Sequence, residues 1–455
     1  MLKIALLAAA ALVACVPPAP KPIESPAPPS PSPPKSKGPP AIVYVKAGRL
    51  FDGTGDKVRE HVAILIEGER IKSVAPEAEL APPPGATIVD LSGATVLPGF
   101  IDCHTHLSKR ADQWDPILTF RDTPNHAAFA AVKNAEKTLN AGFTTVRDVG
   151  SPPFVAVDLR GWIDEGFLTG PRVVASGPGI SMTGGHGDVN GYAPQLDEGW
   201  LFRQERDFAI ADGPDQIHHV VRAQIRHGVD VIKVVASGGV LSRGDKPGAP
   251  QFTVEELRAA VDEAHAAGRK VAAHAHGAEG IKNAVIAGVD SIEHGSFLDD
   301  AGIRLMKEKG TWLVADIYND EYILGKAKDF GLEEEHIEKE RAVGKTQREN
   351  FARAFKAGVK IAFGTDAGVY PHGDNAKQFY FMVKFGMSPA EALRSATSGA
   401  AELVGRSPDV GAIVPGRFAD VIEVAKDPLA DVRATEHVDF VMKGGKVVRN
   451  DLGVK

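Results

Sequence analysis

The polarity of the chain changes texture twice. From Ala41 to Val96 the apolar residues fall in short runs: Ile42-Val43-Tyr44-Val45, His61-Val62-Ala63-Ile64-Leu65-Ile66 and Ile71-Lys72-Ser73-Val74. Glycine-rich or charged turns separate them and no helical period is present, which predicts strands. The same texture returns after residue 408, in Asp420-Val421-Ile422-Glu423-Val424 and across Asp439 to Val448. Between these ends, eight apolar runs alternate with helical stretches: 96–106, 144–149, 172–177, 229–236, 270–276, 289–294, 311–317 and 359–366. The clearest helix is predicted over 253–268. There Thr253 and Glu256 form a capping box, Leu257, Val261 and Ala264 share one face, and Gly268 marks the stop.

Strands alternating with helices predict a parallel sheet with crossover helices, and eight of them predict a (β/α)8 TIM barrel. The barrel is placed over 98–407. The strand-rich pieces at both ends, 41–97 and 408–455, are expected to combine into one small β-sandwich. A chain of 455 residues is long enough for both.

The first forty residues read differently. Lys3, the apolar run Ile4 to Val13 and the pair Ala14-Cys15 form a secretory signal over 1–15, too short to span a membrane. Leu12-Val13-Ala14-Cys15 resembles the bacterial lipobox, which implies lipidation of Cys15 after cleavage. Val16 follows in place of an inner-membrane-retaining aspartate. The expected location is therefore the outer membrane, facing the periplasm of a Gram-negative bacterium, with membrane contact only through this lipid anchor. Residues 16–40, rich in proline, serine and lysine, form a semi-extended tether. The other cysteine of the chain is Cys103, so a lipidated Cys15 leaves no internal disulfide, and Cys103 is expected to pack outward. Composition is ordinary for a globular protein, and a net charge of -7 gives no footprint for nucleic acid.

A barrel carries its working groups at the C-terminal ends of its strands. Polar residues do end the apolar runs. His104 and His106, spaced i, i+2 and so on one face, end the first. His274 and His276 end the fifth, Glu293 and His294 the sixth, and Asp366 the eighth. Lys233 instead lies within Val231-Ile232-Lys233-Val234-Val235. A lysine there is costly unless it is paired with a carboxylate, snorkels to an edge or is chemically modified. The reading preferred here is N-carboxylation by carbon dioxide, since burial and nearby cations favour the neutral, reactive amine. The ligand inventory then closes on two divalent metal ions. His104, His106 and Asp366 hold one, His274 and His294 the other, and carboxylated Lys233 bridges them. Imidazole and carboxylate donors suit zinc, with manganese or cobalt as alternatives.

From about residue 41 onward the sequence resembles the amidohydrolase superfamily, subtype I with a binuclear metal centre. Within it the resemblance is to Xaa-Pro and basic-residue dipeptidases and carboxypeptidases related to imidazolonepropionase. It rests on His104-Thr105-His106, Ile232-Lys233-Val234, Ala236-Ser237-Gly238-Gly239-Val240 and Ala273-His274-Ala275-His276-Gly277. It continues in Ser291-Ile292-Glu293-His294-Gly295, Gly364-Thr365-Asp366, the loop Ser181 to Asp188 and the ending Ala419-Asp420-Val421…Asp427-Pro428. The expected activity is hydrolysis of the C-terminal amide of a dipeptide, short peptide or N-acyl amino acid. Two metals lower the pKa of a shared water, and Asp366 takes its proton and passes it to the leaving nitrogen. The resemblance implies that His276 orients the carbonyl or meets the substrate carboxylate; a supporting role behind His274 is the alternative. His186, on a glycine-rich loop, is a candidate for a terminal carboxylate, and so is Arg243, for which surface loop charge is the default reading. His372 follows Pro371 near the eighth strand with no role fixed, and residues 333–341, of mixed charge, are expected to form an exposed helix face. Cyclic amides and aryl amides such as ochratoxin are alternative substrates, and a metal- or peptide-binding lipoprotein without turnover is the alternative of another class. The assembly state is left open, a homo-oligomer being one option.

Overall fold

The structure, a computed structural model, describes residues 40–452 apart from 113, 116, 189, 192–202, 327, 328 and 330. The expected signal, lipidation site and nearly all of the tether lie outside the described residues. No helix among the described residues is long and apolar enough to cross a membrane.

Strands from both ends of the chain share one seven-stranded sheet. β1 (Ile42–Leu50), β2 (Arg59–Glu67), β3 (Arg70–Pro76) and β4 (Thr87–Pro98) come from the first texture. The barrel strands that follow occupy the numbers β5 to β11, and β12 (Val421–Val424), β13 (Phe440–Lys443) and β14 (Lys446–Asn450) return to the first sheet. The centre is β4, parallel to β1 on one side and antiparallel to β12 on the other, with Ile422 opposite Leu97. The sheet rolls over on itself: Ile71 N donates to Arg417 O and Ala419 N to Glu69 O. Val45, Ile64, Ile66, Val96, Val421, Phe440 and Met442 fill the core so enclosed. This is the small domain that the short apolar runs predict.

The first predicted barrel strand is divided at Gly99. β4 ends at Pro98 and β5 spans Phe100–Thr105. A Cβ on Gly99 would meet Thr144 Oγ1 at 2.1 Å, so glycine is required where the chain crosses from sheet to barrel. β5, β6 (Phe143–Asp148) and β7 (Arg172–Ala175) form one parallel sheet. β8 (Val231–Val235), β9 (Lys270–Ala275), β10 (Ser291–His294) and β11 (Trp312–Val314) form another. Single bridges join the two sheets into a ring: Ile180 to Val234 on one side, and Leu313 to Ile361 and Thr105 to Ala367 on the other. The eighth stave is thus the segment 361–367, which makes bridges rather than a continuous ladder. Its Gly364 is pressed between Val314 and His104, and Asp366 has a left-handed φ of 56°.

β5 does not alternate regularly, its pairing with β6 shifting between Phe100 and Ile101 and between Asp102 and Thr105. Cys103 does not pack outward as expected: with Ile101 it meets Trp312, Val314, Ala362 and Ala400, apart from the helix-facing cluster that holds Phe100, while Asp102 accepts from Thr365 and Asn375 and His104 faces Glu293. Burial pushes the Cys103 thiol up to about 12, so it behaves as a small apolar side chain. The helix Val254–Ala266 carries the predicted capping box and buries Leu257, Val261 and Ala264.

Residues 333–341 expose one face, with Glu334, Glu335, Glu338 and Arg341, as expected, but they bury the other. The helix Glu334–Ala357 turns His336, Ile337, Glu340, Val343 and Gln347 inward, and the last three of these line the cavity at the barrel mouth. Its charges disguised this stripe, because the surface it packs on is the polar mouth of the barrel rather than an apolar core.

Candidate metal centre

At the C-terminal ends of the barrel strands a cavity of about 390 Å³ gathers His104, His106, Lys233, His274, His276, His294 and Asp366. One donor atom each from His104, His106 and Asp366 fall within 4.8 Å of one another, as do those of His274, His276 and His294, and those of His294, Asp316 and Asp366. Asp366 Oδ1 lies 3.1 Å from His106 Nε2 and 3.5 Å from His104 Nε2. His294 and Asp366 both adopt left-handed backbone, with φ of 69° and 56°. For residues other than glycine such geometry is costly and clusters at functional sites.

The second nitrogen of most rings is held by the surrounding fold. His106 Nδ1 lies 2.7 Å from Gly150 O, His276 Nδ1 2.7 Å from Ser296 Oγ, and His294 Nδ1 2.9 Å from Asp316 Oδ1. His104 Nδ1 lies 3.0 Å from Glu293 Oε2, at ion-pair distance but without hydrogen-bond alignment. Such partners orient ligating imidazoles and fix their tautomers. Glu293 is itself held by Arg147, whose Nη2 donates to Glu293 Oε1 at 2.8 Å while Nη1 donates to Ser291 Oγ. Arg147 was not singled out from the sequence; a charge within the fully buried strand Phe143–Asp148 is the signal that could have found it. Glu293→Gln is expected to leave the buried guanidinium without its counter-charge, costing about 3–5 kcal/mol. Urea unfolding of the purified variant would measure this; unchanged stability would reject the pairing.

Burial pulls the Lys233 ammonium down to about 8, which keeps an appreciable neutral fraction near physiological pH. Burial likewise pushes His104, His274 and His276 well below the usual imidazole range. At His294 the opposing effect of burial is outweighed by Asp316, and the net direction is upward. Burial alone would raise the Asp366 carboxyl, but His104 and His106 hold it well below the usual carboxylate range. Asp366 is therefore ionised at neutral pH, beside His104 and His106, whose imidazoles burial shifts downward. Neutral imidazoles and ionised carboxylates are the forms that bind metal, and this nitrogen and oxygen donor set fits divalent cations such as zinc.

The ligand set expected from the sequence lines this one cavity. His276 sits closer to the donors than a substrate-only role requires: its ring stacks on that of His294 at 4.6 Å. His186 also reaches the cavity, its ring stacked on His274 at 4.4 Å and its Nδ1 2.7 Å from Ser242 Oγ. The space for it exists because Gly239 has no side chain; a Cβ there would meet the His186 ring at 2.2 Å. Arg243 does not join the site. Its guanidinium is engaged by Glu333 at 2.8 Å, a partner ninety positions away that the local sequence could not reveal, and it is absent from the cavity lining. His372 turns into the fold, between Thr138 Oγ1 and His106 O. Lys109, Asp316, Asn319 and Glu340 line the cavity without having been singled out.

A model of the amidohydrolase family matches residues 95–448, most of the chain. This chain belongs to the amidohydrolase family. It is 34% identical to the ochratoxinase of Aspergillus niger over 423 residues, covering 90% of this chain and 87% of that protein. The solved structure of a Xaa-Pro dipeptidase with methionine bound in its active site is 39% identical, with a TM-score of 0.84 over 90% of this chain and 100% of that one. A prolidase complexed with N-methylphosphonate-L-proline is 32% identical, with a TM-score of 0.81 over the same shares. This amidohydrolase thus has the TIM-barrel architecture of its relatives together with candidate metal-binding groups at the strand ends, and it is a metal-dependent hydrolase acting on C–N bonds.

Proposed function

We propose that the chain cleaves the C-terminal amide of dipeptides, short peptides or N-acyl amino acids. The observation that supports this most is the placement of Asp366 Oδ1 between the His104 and His106 rings, at the mouth of a cavity able to admit a small substrate. His104, His106 and Asp366 would hold one cation and His274 and His294 the other, with Lys233, carboxylated by carbon dioxide, between them. Bound there, two cations, zinc in this reading, polarise the scissile carbonyl and make water acidic near neutral pH.

The residues of the chain do the rest. The Asp366 carboxylate, ionised and beside the reacting centre, accepts the proton of the attacking water and delivers it to the leaving amine nitrogen. His276, fixed through Nδ1 by Ser296, presents Nε2 to the substrate carbonyl or helps to ligate. His186 and Lys109, both on the cavity wall, face the carboxylate of the departing amino acid. Trp114, Val240, Leu241 and Ile323 supply an apolar wall for its side chain. That wall, with the likeness to ochratoxinase, also favours aryl amides of phenylalanine as substrates. The proposal is tested by amino-acid release from a panel of dipeptides and N-acyl amino acids varied at the C-terminal residue, using zinc-loaded protein. Release from a subset is expected. Release from no member would overturn the proposal in favour of cyclic amides or of binding without turnover.

A further inference from the structure

The wall of the cavity facing the ligand set carries a carboxyl group for which the reading above has no use. Glu340, on the helix Glu334–Ala357, is 3% exposed and lines the cavity. It makes no hydrogen bond and no ion pair among the described residues. A buried carboxyl without a partner is costly, and its retention in a cavity wall points to a ligand that completes it. The cation nearest in charge terms, Arg348, is committed elsewhere: Nη1 pairs with Asp320 at 2.7 Å and with Glu321 at 3.1 Å. Burial first, and then the acidic neighbours Asp320 and Asp316, push the Glu340 carboxyl up to about 8, so the wall resists an isolated negative charge and favours an incoming positive one.

A second group on the same wall is also unsatisfied. Asn319, 4% exposed, lines the cavity, and its Nδ2 donates to Asp316 Oδ2 and Asp366 Oδ2. Those two bonds fix the orientation of the amide, and its Oδ1 is left buried with no donor. The helix that carries it, Asn319–Gly325, packs directly on the helix of Glu340: a Cβ on Gly344 would meet Asp320 Cγ at 2.4 Å. Glu340 is thus a carboxyl on the cavity wall with no donor to its oxygens, while Lys109 and His186 supply donors elsewhere in the cavity.

We propose that Glu340 receives the α-ammonium group of a dipeptide, so that the site selects dipeptides with a free amino terminus over N-acyl amino acids. The inference rests on the amide-hydrolase reading above and narrows its substrate class. An ammonium group brings donors and one positive charge, which complete the Glu340 carboxyl.

The test compares L-alanyl-L-phenylalanine with propionyl-L-phenylalanine, which differ only in the ammonium group. Binding is read by calorimetry on zinc-loaded protein, using the ketomethylene analogue of each, in which CH2 replaces the scissile NH and hydrolysis is blocked. The analogue bearing the ammonium is expected to bind at least about tenfold more tightly to the natural protein. In Glu340→Gln, which keeps the shape of the side chain, that preference should vanish while the propionyl analogue keeps its affinity within about twofold. No binding of the ammonium-bearing analogue, equal binding of the two, a preference that survives Glu340→Gln, or an equal loss for both would overturn the inference. Hydrolysis of the parent pair, followed alongside, reports separately on the amide-hydrolase reading. Preference without turnover would count against that reading alone, and turnover without preference against the role of Glu340 alone.

Discussion

Asp366→Asn is expected to lower kcat by about 10²–10⁴-fold, the range associated with removal of a positioned general acid–base group. The substitution isolates chemistry from shape. Asparagine is among the residues that tolerate left-handed backbone best, so the φ of 56° at this position adds little strain in the variant. An amide oxygen can still face the His106 Nε2 that lies 3.1 Å from Asp366 Oδ1. It cannot accept and release a proton at neutral pH. Most of the bound metal and the KM should therefore survive while turnover does not. Steady-state kinetics with metal analysis on the same preparation check this, and activity within a few fold of the natural protein would remove Asp366 from the proton path.

The second large effect is expected at Lys233. If its amine carries a carbamate between two cations, Lys233→Met should hold one metal ion or fewer after dialysis against buffer treated with chelating resin. The natural protein should hold two, and amide hydrolysis should fall by at least about 10³-fold in the variant. Methionine preserves the length and apolar stem of the buried side chain, so the fold is expected to remain intact by circular dichroism. Burial disfavours the ammonium, so an apolar side chain here is relieved of that desolvation cost. Two metals retained in Lys233→Met would eliminate the bridge. Reconstitution of metal-stripped natural protein should also be faster with added bicarbonate, since the carbamate draws on dissolved carbon dioxide.

Why much of this site was legible from sequence follows from the geometry of a parallel barrel. Its strands are covered on both sides, so they appear as continuous apolar runs, and a polar residue at the end of a run stands out. His104, His274, His294 and Asp366 are visible for that reason. Lys233 is visible for the opposite one, as a charge inside a run that should contain none. Arg147 was passed over: it acquires meaning only through Glu293, 146 positions later, and no local pattern records that pairing. The eighth stave was read as an ordinary strand although Asp366 leaves β geometry; apolar periodicity does not report the sign of φ.

The inward stripe of the helix Glu334–Ala357 was hidden for a different reason. A helix face that closes a polar cavity carries the same residue types as a face turned to water. Glu340 therefore resembled the solvated glutamates around it, and only the fold distinguishes them. Arg243 shows the reverse case. Its place in a loop near the barrel mouth suggested substrate contact, and the structure gives it to Glu333. Ion pairs between distant loops leave no spacing signal.

A binuclear amide-hydrolysing centre is tested most directly by titrating metal-stripped protein with zinc while following amino-acid release from a substrate identified in the panel. Activity should be absent without metal, rise with added zinc and reach its plateau at two ions per chain, with metal content measured on the same samples. Full turnover in the stripped protein, or a plateau already complete at one ion per chain, would contradict a two-cation site built from His104, His106, Lys233, His274, His294 and Asp366.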